Sequence, residues 1–364
     1  MPETHSDARP SVSIVIPCRN EEGLIGRCLR SVAAFDYPQE RLEVLVADGM
    51  STDGTLDEIR RVAETTGLNV RVAPNPAFVV PAGLNLAIGQ ARGDVILRLD
   101  AHSAYPTDYV SRCVRLLGET KADNVGGRAV AVPRHGGATA RTLAAVWNHG
   151  FGVGRSPFRT RRTPGEVDTV PFGCFRRELF DRLGPFDSRL HRGQDYEFNQ
   201  RIRSRGGRIW YDPSLVVHYQ SRSDWPSFWR YAYANGKWVP LMHVLYPYTF
   251  RLRHAVPGMF TLYLLALIAL GVICAAFGAG DAWLIWLCLP LALYTLLMLA
   301  ASLQTAQREG WELLPLLPAA FFTFHFLYGL GSLAGLARAV ARRYPWATET
   351  AGDALPSPVK DRSA

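Results

Sequence analysis

The sequence predicts an α/β protein, a doubly wound and mostly parallel sheet followed by an α-helical membrane region. Three observations carry this. Short apolar runs alternate with helix-period stretches through the first hundred residues, and such alternation gives parallel strands joined by helical crossovers. Polar residues gather at the ends of those runs, in "PCRNEE", "ADGMSTDG" and "DAHS". Ligands of doubly wound sheets bind outside the carboxyl ends of the strands. After about Arg253 the chain turns apolar, with stretches at 255–279, 282–303 and 313–337, each near the roughly 20 residues that cross a bilayer.

In chain order, "SVSIVIP" is a buried strand, and "EEGLIGRCLRSVAAF" sets Leu24, Ile25, Cys28, Leu29 and Val32 on one helical face. "LEVLVADG" is a second strand. "STDGTLDEIRRVAETTG" opens with capping-type residues and continues as a helix. "NVRVAP" is a third strand, "PAGLNLAIGQA" a helix and "DVILRLDAHSAYP" a fourth strand. That strand delivers Asp100 and His102 to its own carboxyl end. Side chains two apart in extended structure share a side, so the two could hold a divalent cation. Carboxylate, imidazole and phosphate oxygens suit Mn²⁺ or Mg²⁺, with His favouring Mn²⁺. The alternative is a strand-end turn in which Asp100 caps the next segment. Asp48 ends the second strand, either as a turn residue before Gly49 or as an acceptor for a nucleobase or ribose. "HRGQDYEFNQRIRSRGG" places Asp195 and Glu197 at a helix start, as acids favoured by the dipole or with Asp195 as a general base. "GFGVG" (150–154) lies away from the first strand–helix turn that a dinucleotide loop requires, and reads as a flexible loop.

The net charge of +8 over 364 residues suits an anionic membrane face or a phosphorylated ligand. No long basic arm is present, so no nucleic-acid partner is expected. The six cysteines include no C-x-x-C pair, which argues for reduced thiols and against a disulfide scaffold or zinc site. The polar start, "MPETHSDARPSVS", has no signal-peptide core, so the amino-terminal part is expected in the cytosol. Residues 225–254 mix Trp225, Trp229, Tyr231, Tyr233 and Trp238 with Arg230, Lys237, Arg251 and Arg253, a composition of helices lying at headgroup level. The link "GAGD" suits the outside and Arg308 the inside. Three full spans would leave the tail outside, yet Arg338, Arg342 and Arg343 favour inside. A re-entrant segment would reconcile these, and the third, with Pro315, Pro318 and its glycines, is the suspect.

"SIVIPCRNEE", "VLVADGMSTDGT", "GDVILRLDAH", "VDTVPFGCFRRELFDRLGPFD" and "RGQDYEFNQRIRSRGGRIWYDP" occur in that order. Together they resemble family 2 glycosyltransferases of the GT-A fold, most of all the ExoA-type enzymes of succinoglycan biosynthesis. Together with the composition shifts above, the resemblance, which covers roughly 11–238, divides the chain into a disordered start (1–10), a cytosolic catalytic domain (11–224), interfacial helices (225–254), a transmembrane region (255–340) and a cytosolic or disordered tail (341–364). The resemblance implies that Pro17, Arg19 and Glu21 contact the donor, that Asp48 binds the nucleotide base and that Asn85 adds a polar donor contact. Asp100 matches the first acid of the D-x-D metal motif, with His102 in place of the second, and His218 matches a late metal-ligating histidine. Asp195 matches the catalytic base, with Gln194 where the family has an acid. The implied enzyme is membrane-bound and inverting. It would use Mn²⁺ or Mg²⁺ to move a sugar, in first expectation glucose, from a UDP-sugar to a saccharide on a polyprenyl diphosphate at the inner membrane. The alternatives are a polyprenyl-phosphate glycosyltransferase and a non-catalytic nucleotide-sugar-binding subunit, the latter prompted by His102 and Gln194.

Overall fold

A computed structural model describes residues 9–154, 156–277 and 284–344; the link 278–281 and most of the tail, on which topology expectations rest, lie outside these. Strands β1 (Val12–Cys18), β2 (Leu42–Asp48), β3 (Val70–Pro74) and β4 (Val95–Arg98) pair in parallel in the order β3-β2-β1-β4. Helices α1 (Ile25–Ala33), α2 (Thr55–Thr66) and α3 (Val80–Gln90) make the crossovers. β1, β2 and β4 are buried on both faces because both are covered, whereas the edge strand β3 is half exposed. Val12, Ile14 and Ile16 join one core with Ile25, Cys28, Leu29 and Val32 of α1 and Ile59 and Val62 of α2. Val15, Leu45 and Ala47 join a second core with Leu84 and Ala87 of α3.

Beyond β4 the sheet becomes mixed. The chain continues through β5 (Ser103–Ala104), α4 (Tyr109–Thr120), β6 (Asn124–Val132), α5 (Ala138–Asn148), α6 (Gly150–Val153), α7 (Pro157–Thr160), β7 (Gly165–Glu166), β8 (Cys174–Arg176), α8 (Glu178–Leu183), α9 (Gln194–Ser204) and β9 (Ile209–Gln220). β8 lies antiparallel between β4 and β6, and β6 pairs in parallel with β9. The doubly wound pattern therefore holds for the first four strands, and an antiparallel insertion extends it.

Two local expectations are corrected. The fourth strand stops at Arg98, and Asp100 and His102 lie in a turn closed by the Ser103 N–H on the Asp100 carbonyl at 3.1 Å. The extended-chain argument for a shared side thus does not apply. The 150–154 segment is not a loose loop. The His149 ring accepts from the Phe151 N–H at 3.1 Å, and Phe151 packs edge-on against Phe321 and His325.

The remaining chain forms α10 (Trp225–Leu245), α11 (Val256–Phe277), α12 (Leu284–Glu309) and α13 (Leu317–Val340). Three helices, ending at Phe277, Glu309 and Val340, are long and apolar enough to cross a membrane. The break expected in the third segment is absent: Pro318 falls in the first turn of α13, where a missing N–H leaves no intrahelical bond unmade. Nor is α10 merely a surface helix. It docks along α13 through glycines: a Cβ on Gly236 would overlap the Tyr328 carbonyl, and Cβ atoms on Gly331 and Gly335 would overlap the carbonyls of Tyr233 and Lys237. A third core then joins the sheet unit to these helices. It contains Leu143, Val146 and Trp147 of α5, Phe228 and Ala232 of α10, and Leu317, Phe321 and Phe324 of α13. The Trp147 ring meets Phe228, Tyr231 and Phe324 edge-on.

Gly331→Leu is expected to lower stability by about 2 kcal/mol or more through overpacking, read as a lowered midpoint of thermal unfolding in detergent. Gly271→Leu, at a site on α11 where a Cβ meets nothing within 4 Å, is expected to leave the midpoint unchanged.

Candidate active site

The carboxyl ends of β1 and β2 carry two loops that are laced together. Asn20 N donates to Ser51 Oγ at 2.9 Å, and Thr52 N donates to Asn20 Oδ1 at 2.8 Å. Glu21 N donates to Thr55 Oγ1 at 2.8 Å, and Gly23 N to Glu58 Oε2 at 2.7 Å. Asp48 is 4% exposed, and Ser51 orients its carboxylate through the backbone N–H at 3.0 Å and the hydroxyl at 2.5 Å. Asp48 therefore organises the turn that follows β2. Arg19 follows β1 and stacks 4.7 Å from the centre of the Phe78 ring, which is half exposed. Asn20, Met50 and Phe78 all have left-handed backbones, with φ of 51°, 56° and 60°. Non-glycine residues adopt that region at a cost, and such strain concentrates where function over-determines the backbone. All three sit on this rim, which Pro17 enters as the next-to-last residue of β1.

At the end of β4 the centre of the site is a side chain the motifs did not single out. Arg98 is almost fully buried. Its Nη2 donates to Asp100 Oδ1 at 2.8 Å and its Nη1 pairs with Asp195 Oδ2. One guanidinium thus holds the acid of the turn beside the acid of α9. Its Nε is buried and has no hydrogen-bond partner among the described residues. The signal was present in "VILRLD", since a lone Arg in a strand with two covered faces requires carboxylates. Asp195 is about a third exposed, at 31%. Enclosure raises its pKa, and the charge of Asp100 adds to that, against the lowering effect of Arg98. Only Oδ2 is engaged, so among the described residues Oδ1 is free to accept from a hydroxyl.

His102 turns toward β1, with Nδ1 3.3 Å from Glu21 Oε1. Burial opposes protonation of the ring, but the Glu21 hydrogen bond and the charges of Asp100 and Glu21 raise its pKa, with Arg222 opposing. Glu21 is thereby a ring-orienting group. His218 lies exposed on β9 across from Ala104. Among the described residues no three His, Cys, Asp or Glu side chains gather as a metal site, so Asp100, His102 and His218 do not form a three-ligand set. What Asp100 and His102 offer is one carboxylate oxygen not held by Arg98 and one imidazole nitrogen not held by Glu21. That set fits a hard divalent cation whose other positions are filled by phosphate oxygens. Asn85 does not face the crevice. Its amide bonds both ways to the backbone of Phe186, at 2.8 and 2.9 Å, and so pins the segment before α9 to α3. Glu197, one turn into α9, is fully buried and held by Arg201 and the Tyr248 hydroxyl, which ties α9 to the turn after α10.

Beside Asp195 opens a cavity of about 320 Å³. Its walls come from the sheet unit (Phe158, Val170), from the approach to α9 (Arg192), and from α10 and α13 (Trp238, Met242, Tyr328). A larger cleft of about 770 Å³ lies at the amino end of β4, around Asp94, Arg115 and Arg176, and holds none of the residues above.

Residues 13–184 match the sequence profile described as Glycosyl transferase family 2. The chain is 30% identical to the succinoglycan biosynthesis protein ExoA of Rhizobium meliloti, over 90% of this chain and 96% of that protein. It is 25% identical to a dolichyl N-acetyl-α-D-glucosaminyl phosphate 3-β-D-2,3-diacetamido-2,3-dideoxy-β-D-glucuronosyltransferase of Methanococcus voltae, over 89% and 97% of the two chains. A mannosyltransferase from Pyrobaculum calidifontis, solved with GDP-Man and Mn²⁺, shares the fold with a TM-score of 0.55 at 22% identity, over 90% of this chain and 88% of that one. A relative this similar over nearly its whole length, and a profile that spans both Asp48 and Asp100, establish that the chain belongs to glycosyltransferase family 2.

Proposed function

We propose that this family 2 transferase is a membrane-bound, inverting enzyme that moves a sugar from a UDP-sugar, glucose being the first donor to test, to a lipid-linked saccharide in exopolysaccharide or other cell-surface glycan assembly. The observation that carries the reading is the cavity beside Asp195, because one wall belongs to the sheet unit and the other to α10 and α13. An acceptor sugar there can reach the base while its carrier stays against the apolar helices. The names of two relatives agree in kind, one concerning succinoglycan and the other a dolichyl-linked sugar phosphate.

The donor would lie on the rim formed by Pro17, Arg19, Asp48 and Phe78, with its diphosphate toward Asp100. Asp100 and His102 would hold a divalent cation together with the donor phosphates, and a cation so bound neutralises charge on the departing nucleoside diphosphate. Arg98 holds Asp195 by one oxygen and leaves the other to take the proton of the acceptor hydroxyl. A leaving group that departs as a diphosphate needs no protonation, so one base is sufficient. A single displacement inverts the anomeric centre and gives a β-linkage from an α-linked donor. The basic residues before the first apolar helix, Arg230, Lys237, Arg251 and Arg253, favour a catalytic unit on the cytoplasmic face of the inner membrane.

Purified protein in detergent, screened with UDP- and GDP-sugars and a lipid-linked acceptor pool, is expected to turn over one donor class and give a product of inverted configuration by NMR. A product of retained configuration would overturn the assignment of Asp195 as base. Asp195→Asn is expected to lower kcat by about 10²- to 10⁴-fold while donor binding, followed by calorimetry, persists. Since its surroundings raise the Asp195 pKa, kcat/KM is expected to fall with decreasing pH at values above the ordinary carboxylate range. A pH–rate profile that stays flat down to that range would show that Asp195 is not the titrating base.

A further inference from the structure

Most arginines around the Asp195 cavity are paired with acids. Arg98 has Asp100 and Asp195, Arg189 has Asp187, Arg201 has Glu197 and Arg253 has Asp168. Arg192 is different. It lines the cavity three residues before Asp195 and is half buried. Its Nη1 donates to the neutral Asn235 Oδ1 at 3.0 Å, and its guanidinium lies 4.8 Å from the centre of the Tyr231 ring. No carboxylate lies within ion-pair distance of it among the described residues. Arg222, two residues beyond β9, approaches the same ring at 5.5 Å; it forms no ion pair among the described residues, though its charge helps lower the pKa of nearby Asp224. Arg192, which faces no carboxylate among the described residues, and Arg222, which has only the charge of Asp224 nearby, therefore share one aromatic ring of α10.

A ring face and an amide stabilise a half-buried guanidinium only partly. Its unused N–H groups match two oxygens of a phosphate, the geometry in which Arg binds most strongly. The rest of the cavity says what the phosphate is joined to. Trp238, Val239, Met242 and Tyr328 give it an apolar wall of α10 and α13, and Asp195 stands at its reacting end. A ligand that fits carries a hydroxyl-bearing head, then an anion, then a hydrocarbon.

We propose that Arg192, with Arg222 across the Tyr231 ring, binds the phosphate that joins the acceptor saccharide to its lipid, and so sets the acceptor hydroxyl at Asp195. This rests on the reading of a lipid-linked acceptor given above. Arg192, which lines the cavity, is the anchor, and Arg222, exposed and outside the lining, supports it through the shared ring.

The test is binding to the full-length protein in detergent, with the donor crevice filled by a saturating amount of the nucleoside diphosphate that the donor screen identifies. The probes are farnesyl diphosphate, farnesol and inorganic pyrophosphate. Farnesyl diphosphate is expected to bind well above the other two. Arg192→Gln is expected to weaken it about ten- to a hundredfold, the range for a lost hydrogen-bonded charge, and to leave farnesol and nucleotide binding unchanged. Arg192→Lys is expected to fall between. Unchanged farnesyl diphosphate affinity in Arg192→Gln, or an equal loss for farnesol, overturns the inference alone and leaves the acceptor reading standing. Pyrophosphate binding as tightly as farnesyl diphosphate, with the same dependence on Arg192, overturns the lipid assignment in favour of a free-phosphate site. Wild-type protein that ignores farnesyl diphosphate yet glycosylates a phosphate-free glycoside overturns the lipid-linked acceptor itself, and this inference with it.

Discussion

The site is organised by one buried charge. Arg98 ends a strand covered on both faces, and a guanidinium in that position costs several kcal/mol unless it is paired and hydrogen-bonded. Its two partners come from different parts of the chain. The turn after β4 curls back to bring Asp100, and the first turn of α9 brings Asp195. For this to happen β8 must enter between β4 and β6, and α9 must be fixed over the crevice. Asn85 grips Phe186, and Glu197 is locked by Arg201 and Tyr248, and together they fix it. Proposed cation ligand and proposed base are thus set side by side by a charge balance within the sheet unit.

The second constraint is the core that the sheet unit shares with α10 and the apolar helices. The glycines of α13 let α10 approach to backbone contact, and Trp147 of α5 closes the joint from the sheet side. Close approach through small residues favours association of helices in lipid, where burial supplies little drive. Here it also builds the outer wall of the cavity beside Asp195. The geometry of the wall therefore depends on α13, far along the chain from the residues it serves.

The legible parts of the sequence were those in which local pattern and tertiary structure agree. β1, β2 and β4 were visible as apolar runs and α1 and α2 by their 3.6-residue faces, while β3 and α3 were legible from their place in the alternation. The apolar helices were visible from length alone. The two-residue strands β5 and β7, and the three-residue β8, are too short for any period to register, so the mixed half of the sheet was not foreseen. Parity misled at Asp100 and His102, since the strand ends at Arg98 and the turn sends His102 to Glu21. Composition misled at 150–154, where glycines suggested freedom but Phe151 is held by Phe321 and His325, more than 150 residues away. Asn85 was misplaced because an amide on a helix looks the same whether it meets a ligand or a backbone. Asp195 was found through a motif, while Arg98, its partner, carried no motif and was legible only as a misplaced charge.

The two departures from the family pattern make sense on the same charge balance. Arg98 contributes one positive charge against Asp100 and Asp195, so the cluster is already one negative charge in excess. An acid at position 194, where the buried Gln194 stands, would add a second excess charge in a poorly solvated place and push the Asp195 pKa further up. Gln194 adds no further charge beside the proposed base. His102 instead of an acid acts in the same direction, with Glu21 supplying the orientation. The excess negative charge would then sort the two anionic substrates proposed above. The donor diphosphate would approach Asp100 in company with a cation, whereas the acceptor phosphate would meet Arg192 directly. Opposite signs on the two sides of Asp195 would thus keep donor and acceptor phosphates from exchanging places.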